Sequence, residues 1–419
     1  MSWETIKLGD YIETLTDYHA NGAYKKLKAN VKLKYKPDYA LMIRTLNFEQ
    51  NDFSSNLIWL NETEYNFLSK SKVYPDDIIM NKIANAGSVY IMPNLNRPVS
   101  LAMNLFLIRF KELNQRFMYY LMKTNEPYIK SFANGVATQS ITKDAVRNLE
   151  FKIPNNTTQK KIASILSTYD DLIENNLKRI KLLEEAAQRL YKEWFVDFKF
   201  PNYENTPINP ETGLPDGWER KPISNFIKLI HGCSFKAKEF SDSKDYYLVI
   251  RMGNFKENGG LQLNKNVRYL PKYKEIKNKY LLEEGDLLMV LSDVTREGRI
   301  IGNVGLIPSN NQKYVLNQRV AKLEINVKNY KTYFYSVLNS ENFKEYCRPR
   351  ANGATVLNLK TKDVTDYNIV IPDSTTLNSF SIKSKRILDN IENLEKQNQN
   401  LKEARDLLLP RLMNKTIEV

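Results

Sequence analysis

Residues 158–198 read TQKKIASILSTYDDLIENNLKRIKLLEEAAQRLYKEWFVDF, a long stretch that contains neither glycine nor proline. Along it, apolar residues and one asparagine recur at alternating steps of four and three: Leu166, Tyr169, Ile173, Asn176, Ile180, Leu183, Ala187, Leu190 and Trp194. Such steps, sustained over several heptads, are typical of a helix that pairs with another helix along a seam. The stretch therefore predicts one long helix with a partner helix.

A second stretch, residues 376–414, has the same pattern, and a single asparagine again lies near the middle of its seam: Ile387, Ile391, Leu394, Asn398, Leu401, Arg405, Leu408 and Leu412. If the helices are antiparallel and Asn176 faces Asn398, five apolar layers form: Leu166 with Leu408, Ile173 with Leu401, Ile180 with Leu394, Leu183 with Ile391, and Ala187 with Ile387. One polar residue in a seam commonly fixes the register. We therefore predict an antiparallel coiled coil with Asn176 and Asn398 as register residues; the alternative is that each helix packs on its own domain.

The chain outside these helices is a direct repeat, and its matches keep the same order along both copies: Trp3-Glu4 with Trp218-Glu219, Ile43 to Phe48 with Ile250 to Phe255, Asp77 to Met80 with Asp286 to Met289, Gly87 to Pro93 with Gly302 to Pro308, and Ala133-Asn134-Gly135 with Ala351-Asn352-Gly353. The second copy carries extra residues at 293–299. Both copies consist of short apolar runs separated by Gly, Asn, Asp and Pro, which indicates many short strands with some helix.

These patterns predict an α+β protein in which two mixed α/β domains are separated by two long helices. We place the first domain at 1–157, the first long helix at 158–200, a proline-rich linker at 201–217, the second domain at 218–373 and the second long helix at 374–419.

Composition and charge favour a cytoplasmic protein with a polyanionic partner. The 419 residues carry a formal net charge of +14 at pH 7, and only two of them are cysteines. Residues 1–155 hold 20 basic and 15 acidic side chains, and residues 218–373 hold 26 and 17, so both domains are basic. A basic protein with so few cysteines, without a secretory signal or an apolar run long enough to span a membrane, is typical of a reducing compartment and a polyanionic partner. A generally basic, solubilising surface is the alternative.

Catalytic motifs are scarce in this sequence. Its only histidines are His19 and His231, so no metal-binding cluster is expected, and it has no phosphate-binding glycine loop. Asp76 with the distant Glu150-Phe151-Lys152 loosely matches a nuclease pattern in which carboxylates bind a metal ion. We predict a non-catalytic protein, with a metal-dependent nuclease as a remote alternative.

Several segments resemble one known family, the specificity (S) subunits of type I restriction–modification systems. The residues that carry the resemblance are Trp3-Glu4 and Gly217-Trp218-Glu219 at the domain starts, Asp77-Ile78-Ile79 and Gly285 to Leu288, and, in the first helix, Gln159 to Leu166, Asp170 to Glu174 and Leu190 to Phe195. The family usually has Glu-Gln before this helix, whereas this chain has Thr158-Gln159.

The resemblance implies that each domain is a target-recognition domain that reads one half of a bipartite DNA site, and that the helices set the gap. It implies two modification (M) subunits that bind S-adenosylmethionine and methylate adenine, and restriction (R) subunits that use ATP and Mg, with no cofactor in this chain. We expect Trp194, Phe195 and Phe198 to form the subunit-docking surface, because a solitary protein rarely exposes so much aromatic area. A stand-alone, repressor-like DNA-binding protein is the main alternative.

Lysine, arginine and small polar residues suit phosphate contacts, whereas arginine, asparagine and glutamine suit base edges. The predicted DNA-contacting residues are Lys32, Lys34, Lys36, Arg44, Asn47, Thr138 and Gln139 in the first domain and Arg251, Asn254, Thr295, Arg296, Arg299, Arg348, Arg350 and Thr355 in the second. For Arg44 with Asn47, and Arg251 with Asn254, a purely structural hydrogen bond is an equal alternative.

Overall fold

The computed structural model describes residues 3–135, 138–241, 244–327 and 330–419. The chain forms two compact units: the first unit is Met1–Asn175 with Asn398–Val419, and the second unit is Asn176–Gln397. Two 40-residue helices, the first long helix Asn156–Phe195 and the second long helix Ser374–Met413, are each divided between the units. Residues 156–175 and 398–413 belong to the first unit and residues 176–195 and 374–397 to the second, and we call these four parts the helix halves. No helix in the described parts of the chain is long and apolar enough to cross a membrane.

In the first unit, the described residues form two four-stranded sheets and one two-stranded sheet. In spatial order the strands are Ile12–Asp17, Leu105–Phe110, Ile78–Asn81 and Val89–Ile91; Ile58–Leu60, Ala40–Ile43, Val99–Leu101 and Lys72–Val73; and Glu4–Lys7 with Glu150–Ile153. Neighbouring strands are antiparallel, except that Ala40–Ile43 and Val99–Leu101 are parallel.

The second unit repeats this order strand for strand. Its sheets are Ile227–His231, Val320–Ile325, Leu287–Val290 and Val304–Leu306; Tyr269–Leu270, Tyr247–Ile250, Lys313–Leu316 and Leu281–Leu282; and Glu219–Pro222 with Asn368–Ile371. The parallel pair recurs as Tyr247–Ile250 with Lys313–Leu316. One further pair, Ser292–Asp293 with Leu357–Asn358, corresponds to a single β-bridge between Ile83 and Ser140 in the first unit.

Short helices connect these strands. In the first unit they are Leu8–Tyr11, Tyr24–Asn30, Thr45–Gln50, Glu62–Phe67, Gln115–Thr124, Glu126–Lys130 and Lys143–Arg147, with 3-10 helices at Tyr18–Asn21 and Ser69–Ser71. In the second unit they are Lys331–Leu338, Glu341–Cys347 and Thr361–Thr365, with 3-10 helices at Tyr203–Asn205, Ile223–Asn225, Ala237–Glu239, Met252–Asn254, Asn278–Tyr280 and Arg348–Arg350.

The central strand of each domain is apolar on both faces. Ile78 and Met80 pack in one apolar cluster, while Ile79 between them packs in another. Because successive side chains of a strand point to opposite faces, a strand covered on both sides reads as a continuous apolar run. In the second unit, Leu287 and Met289 pack in one apolar cluster and Leu288 packs in another, on the opposite face of the strand. The same two-sided burial explains why this apolar run occurs in both copies of the repeat.

The predicted seam is the buried side of the long helices. Its members are all buried or half-buried, including Ile173 and Ile180 on the first helix and Leu394 on the second. In the first unit, Ile162 and Leu166 lie in one apolar cluster with Leu408 and Leu412. In the second unit, the ring centroids of Trp194 and Phe380 are 5.9 Å apart.

These contacts make the helix halves antiparallel within each unit, as predicted. Asn176 and Asn398 are both buried. They lie on opposite sides of the division between the units, so their pairing stays a prediction.

The first long helix begins two residues before its predicted start and ends at Phe195, five residues before its predicted end. Phe198 follows it with a φ of 54°, in the left-handed region. A phenylalanine in that region cannot continue a right-handed helix, which explains why the helix does not reach residue 200.

Candidate nucleic-acid interface

Each domain carries a seven-residue loop that is closed by a pair of backbone hydrogen bonds. We call residues 134–140 and 352–358 the glycine loops; residues 136 and 137 of the first lie outside the described residues. In the second glycine loop the N–H of Asn352 donates to the carbonyl of Asn358 (3.1 Å) and the N–H of Asn358 donates back (2.9 Å). The same exchange joins Asn134 and Ser140, both at 2.8 Å.

Both loops require glycine at their second position. Gly135 has a φ of 126° and Gly353 a φ of 151°, in a region that residues with a side chain rarely adopt. A Cβ on Gly353 would lie 1.9 Å from the carbonyl oxygen of Val356, and one on Gly135 would lie 2.4 Å from that of Thr138. The predicted contact residues Thr138, Gln139 and Thr355 are exposed on these loops.

The extra residues of the second copy form a second loop beside the glycine loop. We call residues 293–300 the insert loop. It begins with a two-stranded pairing in which Asp293 lies opposite Leu357, and the Ser292 hydroxyl donates to Oδ1 of Asn358 at 2.7 Å. In the second domain, the structure therefore brings two of the sequence-predicted regions together on one surface.

The arginines of this surface differ in whether they already contact a carboxylate or an aromatic ring of the protein. Arg299 lies 3.4 Å from Glu257, and Arg348 lies 2.8 Å from Glu341. The guanidinium of Arg350 stacks on the Tyr346 ring, 3.7 Å from its centroid. Arg296 is exposed, and within the described residues it has no hydrogen-bond or ion-pair partner.

The lysine-rich segment of the first domain lies at a different place, along a sheet edge. Lys34 forms a β-bridge with Trp59, and the backbone N–H of Lys32 donates to Glu64. Lys32 and Lys36 are exposed, whereas Lys34 is half-buried and pairs with Asp38 at 2.6 Å. Lys34 is therefore partly neutralised and is the weakest phosphate candidate of the three.

The repeated Arg–Asn motif is a buried turn. Asn47 is 4% exposed, accepts a hydrogen bond from the backbone N–H of Arg44 and donates to the carbonyl of Asp52. Asn254 is fully buried, accepts from the backbone N–H of Arg251 and donates to the carbonyl of Gln262.

Each amide of this motif is used by its own turn. Asn47 and Asn254 are thus structural residues, which corrects their prediction as DNA contacts. Arg44 and Arg251 hold the same turn, since each guanidinium donates to the carbonyl of an asparagine in the left-handed region, Asn56 and Asn266 respectively.

The aromatic residues at the end of the first long helix were predicted to be exposed, and this prediction is wrong. Trp194 and Phe195 are 5% and 3% exposed, and Phe195 packs against Tyr333, Phe380 and Trp218 in the core of the second unit. Phe198 is half-buried, edge-on to Trp218. Trp194 and Phe195 are therefore not available for docking, whereas the role of Phe198 stays a prediction, so exposed aromatic area no longer distinguishes a complex subunit from a stand-alone DNA-binding protein.

Charged side chains connect each domain to the helix halves of its own unit. In the first unit, Arg116 lies 3.3 Å from Asp171 of the first long helix. In the second unit, Lys256 lies 2.9 Å from Glu395 and 3.6 Å from Glu184, one on each long helix. Burial of Glu184 raises its pKa despite the nearby lysine.

The nuclease alternative gains no support from the geometry. Asp76 pairs with Arg116 at 2.9 Å. The described residues contain no group of three or more histidine, cysteine or acidic side chains that could hold a metal ion.

Three residues beside the loops were missed by the sequence analysis. Lys82 and Lys143 both pair with the buried Asp17, at 2.9 Å and 3.5 Å, next to the first glycine loop. Burial alone would raise the pKa of Asp17, but its two lysine partners outweigh this and lower it. Asp293 is the third, and its position two residues before Thr295 was a usable signal, because aspartate commonly accepts a hydrogen bond from the backbone N–H two residues on.

Comparison with known proteins identifies the family. The model of the type I restriction modification DNA specificity domain (Methylase_S) matches residues 1–185 and 215–408. The MjaIX specificity subunit of a type I restriction enzyme from Methanocaldococcus jannaschii is 28% identical over 303 residues, which cover 71% of this chain and 68% of that protein. The MjaVIII specificity subunit of the same organism is 22% identical over all of this chain and 93% of that protein.

A crystal structure of a type I restriction–modification S subunit from M. genitalium has the same fold. The TM-score is 0.58 at 16% sequence identity, over 99% of this chain and 96% of that one. Together with the repeated strand order, the two matched segments show that this chain belongs to the family of type I restriction–modification specificity subunits, with its specificity domain present twice.

Proposed function

We propose that each domain reads one half of a bipartite DNA sequence and that the paired long helices set the gap between the halves. The observation that carries this proposal is the strand-for-strand repeat, in which each copy has a closed glycine loop and an excess of basic residues. If the backbone of a loop is already ordered, its side chains can contact base edges without the entropy loss of ordering the loop on binding.

The chain would act as the non-catalytic subunit of a larger complex. Two modification subunits would supply S-adenosylmethionine-dependent adenine methylation, and restriction subunits would supply ATP- and Mg-dependent cleavage. Since Trp194 and Phe195 are buried, docking must use other side chains. Ile165, Leu172 and Leu182 of the first long helix lie outside the seam and are 36%, 45% and 64% exposed, so they offer apolar contact area.

Exchange of residues 218–373 for the same region of a related subunit tests the two-reader model. The full chain is produced with its modification subunits, and the methylated sequence is mapped across genomic DNA. One half of the methylated sequence should change while the other half and the gap persist. A change in both halves would contradict the model, and an unchanged sequence would contradict reading by this domain.

The role of the helices is tested separately. Deleting four residues from the middle of each long helix removes about one turn, or ~6 Å, at ~1.5 Å per residue. The gap tolerated between the half-sites should then change, while both half-site sequences are retained. An unchanged gap would refute the helices as the element that sets it.

A further inference from the structure

We infer that Asp293 is a positioning residue for sequence recognition, because its buried carboxylate holds the insert loop in the conformation that presents Arg296. This inference rests on the proposed reading of one half-site by the second domain. Asp293 itself is 1% exposed and cannot touch DNA.

The carboxylate binds both ends of the insert loop. Oδ1 accepts hydrogen bonds from the backbone N–H of Thr295 (2.8 Å) and from its hydroxyl (2.9 Å). Oδ2 accepts one from the backbone N–H of Ile300 (2.7 Å), seven residues further along the chain. The Thr295 hydroxyl oxygen also accepts from the N–H of Arg299 at 3.2 Å, which closes the loop a second time.

Burying a carboxylate costs free energy unless hydrogen bonds compensate for the lost hydration. A buried charge must be compensated, and here the donors are one hydroxyl and two backbone N–H groups. No lysine or arginine among the described residues pairs with Asp293. An apolar residue at this position would avoid the desolvation cost but would leave three donors without this acceptor.

Arg296 lies between the two ends of the loop that the Asp293 carboxylate holds, and its side chain is available for contact with DNA. Arg296 is exposed between them, and Gly298, with a φ of 61°, provides the turn back. Arg299, in contrast, is held near Glu257 and Glu297, at 3.4 Å and 3.7 Å. The backbone of the loop is thus hydrogen-bonded at both ends, and Arg296 is its unpaired cation.

The pairing of Asp293 with Leu357 fixes this loop to the second glycine loop. An arginine can make a bidentate contact with guanine only if its backbone is placed correctly, and preorganisation removes the cost of ordering the loop on binding. Loss of the carboxylate should therefore lower discrimination at one half-site more than it lowers overall affinity for DNA.

The test uses the full-length chain and selection from a pool of random-sequence DNA duplexes, followed by binding to the selected site and to single mismatches in each half. Asp293→Ala should reduce discrimination in the half-site of the second domain by about 10-fold, the size of one lost base contact. Asp293→Asn keeps one acceptor oxygen and should give a smaller loss. Discrimination in the other half-site should not change.

Two further variants separate positioning from general stability. Asp286→Asn removes a carboxylate of the same domain that pairs with Lys322 at 2.8 Å; it should lower Tm and leave discrimination intact. Arg296→Ala should lose discrimination by itself, and adding it to Asp293→Ala should cause little further loss. If Asp293→Ala fails to fold, Asp293→Asn is compared instead, alone and combined with Arg296→Ala.

Unchanged discrimination in folded Asp293 variants would overturn the inference, and so would full additivity with Arg296→Ala. Exchange of residues 218–373 distinguishes this failure from a failure of the proposed function. If the exchange changes one half of the recognised sequence while the Asp293 variants do not, only the positioning role is refuted. If the exchange changes nothing, the reading function itself is refuted.

Discussion

The two units bury the ends of the long helices in the same way but with different side chains. In the second unit, Trp194 and Phe195 of the first long helix enter an aromatic core beside Phe380. In the first unit, Leu412 and Met413 of the second long helix enter the core around Phe117. Each pair is the last two residues of its 40-residue helix, so the role of the position is kept while the residues differ.

The reading surfaces differ more than the cores. Both domains keep the strand order and the glycine loop, but among the described residues only the second domain has the insert loop. The pairing beside it is two residues long, whereas the first domain has a single bridge there. The exposed lysines Lys32 and Lys36 belong to the first domain. The comparison shows that the two domains share their sheets. They differ in their loops and in the segments along their sheet edges, where contacts with DNA are proposed.

Replacement of the buried helix ends should give the largest effects. Trp194→Ala should destabilise the second unit by about 3–5 kcal/mol and Leu412→Ala the first unit by about 2–5 kcal/mol, because each leaves a cavity. Thermal unfolding followed by calorimetry checks both. Leu182→Ala, at a 64% exposed site, is the control and should change stability by less than about 0.5 kcal/mol. Equal insensitivity of all three would show that these ends are not part of the cores.

The glycine loops should respond alike in both domains. Gly135→Ala and Gly353→Ala should each cost about 1–3 kcal/mol, since both combine a positive φ with a clash against a carbonyl. Each should also weaken sequence discrimination only in the half-site read by its own domain. Gly253→Ala, where an added Cβ meets nothing within 4 Å, is the matched control. A loss in the wrong half-site would contradict the assignment of loops to readers.

The turn asparagines provide a comparison in which the domains should not differ. Asn47→Ala and Asn254→Ala each leave a partly buried backbone N–H without its acceptor, and we expect about 1–3 kcal/mol of destabilisation from each. Denaturant unfolding measures the loss, and duplex selection checks the preferred DNA sequence. A changed preference with unchanged stability would restore these residues as base contacts.

The smallest effects should come from the lysines of the first domain. Replacing Lys32, Lys34 and Lys36 with glutamine should weaken binding to all sequences and reduce the slope of log K against log salt by about 0.9 per lost phosphate contact. Lys34 should contribute least, because Asp38 already neutralises it. A salt titration of binding measures the slope. An unchanged slope would place the DNA elsewhere on this domain.

Periodicity and repetition predicted the frame of this molecule well, because both depend on residue spacing. The seam around Ile173 and Ile180 and the doubled domain were visible in the sequence and are present in the structure. Whether a side chain outside a periodic element is buried depends on partners distant in the chain. Phe195 was predicted to be exposed, but it is buried by Phe380 and Tyr333, which lie far away in the sequence. Asn47 was predicted to contact DNA, but its side-chain amide forms a hydrogen bond within its own turn.

The division of each long helix between the two units has a consequence for the order of folding. The second unit is one continuous segment of chain, so all its contacts can form as soon as residue 397 has left the ribosome. The first unit needs residues 398–419, and Leu412 packs in the same cluster as Ile162, 250 positions earlier. Residues 398–419 are synthesised after everything else in the two units, so the first unit cannot be completed before them. The segment that is made first therefore completes its fold last.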